Sequence, residues 1–163
     1  MSSGPDAGPE PRVSPEPFDA PGVSALVDAQ QAELRGRYGG VGDIGPPRDA
    51  ATFRPPDGIF VVCRLEERPL ACGGLCRFDA TRAELKRMYV APEARGRGLG
   101  RRILEALEDE ARRLGYTAIV LETGERQHES LGLYRSAGYR PIPCYGVYAA
   151  QAISRCFEKT LEA

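Results

Sequence analysis

Tryptophan is absent from the 163-residue chain, histidine occurs once, as His128, and aromatic residues make up only 7% of it. One histidine and five cysteines without a C-x-x-C pair give no zinc-ligand pattern, so no metal is expected. The cysteines, Cys63, Cys72, Cys76, Cys144 and Cys156, are odd in number and scattered through apolar segments. That distribution predicts reduced core thiols and no disulfide framework. No Cys/His or Ser/His arrangement offers a covalent nucleophile, and Cys144 reads as a packing or rim residue. The formal net charge is −1, which provides no overall basic field for nucleic acid. No apolar run approaches a membrane span, and the first residues hold no signal-type apolar stretch. The expectation is a soluble, cytoplasmic protein with neither nucleic acid nor membrane as partner.

What is present fits one compact domain, since 163 residues suffice for one core and are few for two. Residues 1–17 carry Pro5, Pro9, Pro11, Pro15 and Pro17 among Ser, Gly, Asp and Glu, and read as a disordered tail preceding a domain over 18–163. Val23, Leu26, Val27 and Leu34 recur at helical spacing until Gly39-Gly40. A Gly- and Pro-rich loop with Asp43, Arg48, Asp49 and Arg54 then runs from Val41 to Gly58. Ile59–Arg64, Leu70–Phe78 and Thr81–Val90 read as a three-stranded meander, with Gly73-Gly74 marking a bulge or a close approach. A helix follows, with Leu99, Ile103, Leu104, Leu107, Ala111 and Leu114 on one face. Glu108 with Arg112 and Asp109 with Arg113 are i,i+4 pairs on its other face, and Gly115 ends it. Tyr116–Thr123, with the apolar centre Ala118–Leu121, is an interior strand that a crossover helix places parallel to the strand ending at Val90. Leu131, Tyr134 and Ala137 give a short helix closed by Gly138, and Tyr139–Ile142 and Ile153–Leu161 a last antiparallel pair.

The stretch RMYVAPEARGRGLGRRIL, Arg87 to Leu104, joins a strand end, a glycine-arginine loop and a helix start. Gly96, Gly98 and Gly100 let the backbone approach a ligand and turn its N–H groups inward. The helix adds free N–H groups and a partial positive charge at the same point. Arg95, Arg97, Arg101 and Arg102 crowd cations where the macrodipole disfavours them by roughly 0.3–1 kcal/mol each, a conflict that a polyanion resolves. A dinucleotide fingerprint would need a glycine at Arg101 and does not fit.

Arg95-x-x-Gly98-x-Gly100, after Met88-Tyr89-Val90 and before a helix, resembles the acetyl-CoA pyrophosphate loop of the GNAT superfamily of N-acetyltransferases. The resemblance runs from about Leu26 to Leu161 and rests on motifs between Ala83 and Gly138. It implies an α/β (α+β) fold of order β-β-β-α-β-α-β-β: a mixed, mostly antiparallel sheet with a central parallel pair and flanking helices. It implies acetyl-CoA as co-substrate, held by Arg95, Gly96, Arg97, Gly98, Leu99, Gly100 and Arg101, with the backbone of Met88, Tyr89 and Val90 on the pantetheine amides and thioester oxygen. Many members carry an Asn before the following helix, where this chain has Gln127.

The chemistry sets its own demands. An amine of pKa around 10 is protonated at pH 7, and exposing its lone pair costs about 4–5 kcal/mol, so a base is needed. A departing thiolate of pKa roughly 8.5 leaves more easily with a proton donor nearby. Two carboxylates qualify as base. Glu84 occupies the position used by histone-modifying members of the family, with Lys86 and Arg87 as its alternative ion-pair partners. Glu122 resembles the base of the ribosomal-protein N-terminal acetyltransferases. Tyr134, in Leu133-Tyr134-Arg135-Ser136-Ala137-Gly138-Tyr139, matches the L-Y-x-x-x-G-[FY] signature whose tyrosine serves as general acid. Tyr38, Tyr145 and Tyr148 are candidate walls of an acceptor pocket. The reading is acetyl transfer to an amine of a small molecule, an amino acid or related metabolite. The alternatives are a protein or peptide amine, or a non-catalytic acyl-CoA-binding regulatory module. The resemblance also allows a homodimer through the last strands.

Overall fold

A computed structural model describes residues 8–40 and 50–162. The start of the proline-rich tail and the loop residues Asp43, Arg48 and Asp49 lie outside the described residues. In chain order the elements are β1 (Arg12–Pro15), α1 (Val23–Arg37), β2 (Ile59–Leu65), β3 (Arg68–Arg77), β4 (Arg82–Val90), α2 (Leu99–Arg113), β5 (Ala118–Gly124), α3 (His128–Ser136), β6 (Arg140–Ile142) and β7 (Ser154–Thr160). One seven-stranded sheet runs β1-β2-β3-β4-β5-β7-β6. Every neighbouring pair is antiparallel except β4 and β5, which the α2 crossover makes parallel. The mixed sheet and its parallel pair are those the sequence predicts. Among the described residues no helix is long and apolar enough to cross a membrane.

Alternation along the strands divides the core. Val61, Leu75, Leu85, Ile119, Leu121 and Phe157 meet Ile103, Leu104 and Leu107 of α2 on one face. Phe60, Val62, Cys72 and Cys76 meet Val23, Leu26 and Val27 of α1 on the other.

Two local departures from regularity open the sheet. β4 and β5 pair only from Arg82↔Ala118 to Leu85↔Leu121; beyond that β4 follows β3 while β5 follows β7 to Gly124. The strands splay, and the second half of β4 turns an edge toward the gap. Opposite, the β3–β4 ladder jumps from Cys72↔Tyr89 to Gly74↔Lys86, so Arg87 and Met88 face Gly73 alone. Arg87 sits at φ 60 in this bulge, which bends the strand as bulges do.

Three expectations are corrected. The tail is ordered over Arg12–Pro15, where β1 pairs with β2 through Val13↔Cys63, so the folded unit begins before residue 18. Val13 packs on the core, Arg64 grips Glu16 at 2.8 Å, and an outer edge tolerates Pro15 because no ladder bond is lost there. Cys144 and Cys156 form a disulfide, with Cα atoms 5.1 Å apart, because β6 returns beside β7; Cys63, Cys72 and Cys76 are the buried free thiols. The α2 ion pairs also differ. Glu108 is buried and takes Lys159 Nζ at 2.6 Å, while Arg112 pairs with Asp109 at 3.1 Å and Arg113 with Glu110. The sheet, unseen in a helical wheel, covers one flank of the polar face.

Candidate active site

The splay between β4 and β5 holds two cavities that share Gln30, Leu34, Met88, Gln127 and Ser130 as common wall. The first, a cleft of about 350 Å³, runs from Met88, Tyr89 and Val90 to Gly96, Gly98, Leu99, Gly100 and Arg101. Gly96 and Gly98 stand at φ +82 and +75, and a Cβ on either would meet nothing within 4 Å. The concavity is therefore backbone-lined and has room in front of it. α2 starts immediately beyond with Gly98 as N-cap, no side-chain cap and no acidic residue in its first turn. Its first N–H groups and dipole are thus left for an anion. This is the fit required of a diphosphate cradle.

The predicted cradle residues divide. Gly100 has no positive φ; it lies in α2, where a Cβ would come 3.3 Å from Leu133 Cδ2, so it serves close packing. Arg95 lines the cleft, donating to Val90 O at 3.0 Å and to Glu33 Oε2 at 2.7 Å. Arg101 lines the cleft and bonds Ser136 Oγ. Arg97 is exposed and lines neither cavity. Gln127 lines both as the α3 N-cap, with no side-chain capping bond. Glu33 also accepts from Arg37 at 2.8 Å, and Arg37 reaches Glu129 at 3.3 Å. A chain of charges thus ties α1 to the glycine loop and to α3. The Glu129 carboxyl is held below its ordinary range, first by its own backbone N–H and then by Arg37.

The second cavity, of about 280 Å³, is lined by Glu122, Tyr134, Lys86, Tyr38, Arg126 and Tyr148 among others. Tyr134 is buried at 3% exposure. Burial, and next the Glu122 carboxylate, pushes its phenol well above the usual range, so it keeps its proton at neutral pH. Glu122 is half-buried on the last residues of β5. Glu84 lies outside both cavities: it is buried, accepts from Tyr145 OH at 3.0 Å and has Cys76 Sγ at 3.8 Å. Lys86, two residues on, donates to Tyr148 OH at 2.6 Å. Tyr145 lines neither cavity, because its ring packs between Phe78 and Tyr148.

Sequence reasoning named Tyr38, which lines the second cavity, but missed the contribution of α1 before it. Leu34, placed by its spacing on the core stripe, instead lines both cavities with Gln30, whose Nε2 donates to Met88 O at 3.2 Å. Tyr38 seats its hydroxyl on Gly124, where a Cβ would lie 1.8 Å away, and accepts from Arg126 N at 3.0 Å. Gly124 at the end of β5 was the available signal.

Each end of this double cavity suits one half of a transfer: a backbone cradle for a diphosphate-bearing carrier, and a carboxylate with a protonated phenol where an acceptor exchanges protons. The fold and site are those of an acyltransferase. Residues 26–139 match the model of the acetyltransferase (GNAT) family, and the chain belongs to that family. It is 38% identical to an IAA acetyltransferase of Azospirillum brasilense, over 85% of this chain and 94% of that one. A solved acyl-CoA N-acyltransferase structure from Klebsiella pneumoniae superposes with TM-score 0.80 at 26% identity, covering 93% of this chain and 98% of that one. A GNAT family acetyltransferase of Elizabethkingia anophelis, solved with acetyl-CoA bound, shares the fold at TM-score 0.66 and 16% identity, over 93% and 98% of the two chains.

Proposed function

We propose that this N-acetyltransferase moves acetyl from acetyl-CoA to the primary amine of a small molecule, an amino acid or related metabolite. The observation that carries the reading is the meeting of the two cavities at Met88, with Glu122 and Tyr134 both in the acceptor-side one. Acetyl-CoA supplies an activated acyl group and a thiolate leaving group. The Gly96 and Gly98 backbone, the α2 N-terminus and Arg101 hold its diphosphate, and the Met88–Val90 edge, which β5 leaves unpaired, receives the pantetheine amides and thioester carbonyl.

Glu122 is the base that takes a proton from the ammonium form of the acceptor, directly or through a water. Tyr134, kept protonated by burial, donates to the sulfur as it departs. Glu84 is a positioning residue that holds Tyr145. The cavity wall carries Lys86, Arg87 and Arg126 beside the single carboxylate Glu122 among its described residues, and that balance favours an acceptor bearing its own carboxylate over a basic peptide.

The test is coenzyme A thiol release with a panel of amino acids, polyamines, aminoglycosides and short peptides, run on the wild type, Glu122→Gln and Glu84→Gln. Amine-dependent release should fall about 100-fold in kcat/KM in Glu122→Gln, with loss of the acidic limb of the pH profile. In Glu84→Gln it should fall no more than about threefold, since one hydrogen bond at a distance is disturbed. The reverse ranking would transfer the base role to Glu84. Binding of acetyl-CoA without turnover on any amine would leave a binding module.

A further inference from the structure

The Cys144–Cys156 disulfide is used by nothing in the mechanism above, yet it closes the segment that builds one wall of the acceptor cavity. The β6–β7 ladder ends at Ile142↔Cys156, and the bridge lies just beyond it, spanning 12 positions. Inside that span Tyr148, Gln151, Ile153 and Ser154 line the acceptor cavity, and no residue of the span lines the acetyl-CoA cleft.

Between Cys144 and Ser154 the span pairs with no strand among the described residues. Its backbone bonds are mostly local: Tyr148 N to Tyr145 O, Ala149 N to Gly146 O and Gln151 N to Tyr148 O, at 3.0, 3.2 and 3.1 Å. Glu125 N donates to Ile153 O at 2.8 Å, and from Ser154 onward the span already belongs to the β5–β7 ladder, so the part without a ladder is residues 145–152. Its side-chain ties to the rest of the fold include Tyr145 to Glu84, Tyr148 to Lys86, Arg155 to Glu125 and the Tyr145 ring on Phe78. Cross-linking such a span removes loop freedom that those few bonds would otherwise have to restrain. A third cavity of about 290 Å³, which shares Tyr148, Gln151 and Ser154 with the acceptor cavity, is lined by Cys144 and Cys156; Cys156 is buried and Cys144 is partly exposed, so Cys144 is the sulfur a small thiol would meet first. The free cysteines do not compete, being buried, with the Cys72 thiol pushed up to about 12 by burial.

We infer that the Cys144–Cys156 bridge is a redox-addressable positioning device for the acceptor wall: closed, it presets the pocket; opened by a thiol reductant, it loosens acceptor binding and leaves acetyl-CoA binding intact. In the opening step a thiolate of a dithiol attacks one sulfur and the S–S bond breaks to a mixed disulfide. The dithiol's second thiolate then displaces the second protein sulfur. Two electrons pass to Cys144 and Cys156, which leave as thiols after taking two protons, and the dithiol departs as a cyclic disulfide. Glu122 lies beside Cys156 in the ladder, on a strand that pairs with β7 from Ala118 to Gly124; the prediction is that this ladder outlasts reduction and keeps the chemical step.

This inference rests on the assignment of the second cavity to the acceptor, and its tests separate the two. Thiol titration of the unfolded, unreduced protein should count three thiols, rising to five after dithiothreitol; five from the start in air-oxidised protein would overturn the bridge. Amide exchange, which needs no substrate, should quicken about tenfold or more across residues 143–153 on reduction and stay unchanged across residues 95–104. Equal exchange in both redox states would overturn the positioning role even if no acceptor is ever found. With an active amine in hand, reduction should raise its KM about five- to tenfold, with kcat and the KM for acetyl-CoA within about twofold. The Cys144→Ser/Cys156→Ala variant should match the reduced enzyme and ignore dithiothreitol. A parallel rise in both KM values, or a double variant that still responds, would refute the assignment to this bridge.

Discussion

The cleft at the glycine loop and the cavity at Glu122, proposed above to take acetyl-CoA and the acceptor, share a wall at Met88 and are made of different materials. The cleft takes its key groups from one unbroken segment, Met88 to Arg101, and presents backbone: two glycines at positive φ and an uncapped helix start. The acceptor cavity takes side chains from α1, β4, β5, α3 and the 148–154 segment. A backbone cradle tolerates little variation because any Cβ would enter the ligand's space. A side-chain pocket can change occupant by occupant while the strands beneath it stay put. One family can therefore keep a common donor and vary its acceptors.

The sharpest way to break this division is Gly98→Asp. It puts a side chain into the open cradle at φ +75, with a negative charge facing a diphosphate. The affinity for acetyl-CoA, measured by calorimetry, should fall about 100-fold. Alkaline-phosphatase-treated, dephosphorylated donor should lose nothing extra if only the diphosphate is clashing. Tyr134→Phe attacks the other side. The rate should drop about tenfold in kcat while acetyl-CoA affinity holds, and an unchanged kcat would remove the acid role.

Gly124→Ala tests whether the acceptor wall is set by close approach. A Cβ there meets the Tyr38 hydroxyl at 1.8 Å, so the ring must leave and Arg126 N loses its acceptor. The expectation is a cost of about 1–3 kcal/mol in stability by thermal melt and an acceptor KM raised about fivefold. A matching rise in the KM for acetyl-CoA would contradict the separation of the two walls. Glu33→Gln should act least and in the opposite direction. It frees Arg95 from a partly exposed pair at 2.7 Å, and acetyl-CoA affinity should tighten about twofold, within the range of such surface pairs.

Much of this was legible in the chain because its cause is local. The strand-loop-helix order from Arg82 to Leu114, the parallel β4–β5 pair and the glycine loop follow from apolar period, glycine placement and the handedness of a crossover. These need no distant partner. Residues 12–15 read as tail because composition cannot show that Val13 has an open sheet edge to join. Leu34 read as core because a helical stripe does not say whether the sheet opposite is closed or splayed.

The sequence alone determined the family and its fold class, a mixed sheet with flanking helices, and placed a glycine loop between a strand and a helix, since that loop is made of consecutive residues. Only the tertiary structure decided which carboxylate faces the acceptor cavity. Glu84 and Glu122 lie on neighbouring strands with comparable sequence signals, but Glu84 is covered by Tyr145 while Glu122 sits at the splayed end beside Tyr134. Only the structure joined Cys144 to Cys156, because the return of β6 beside β7 is a long-range pairing. Long-range geometry is fixed by how strands choose neighbours, which no short window of residues contains.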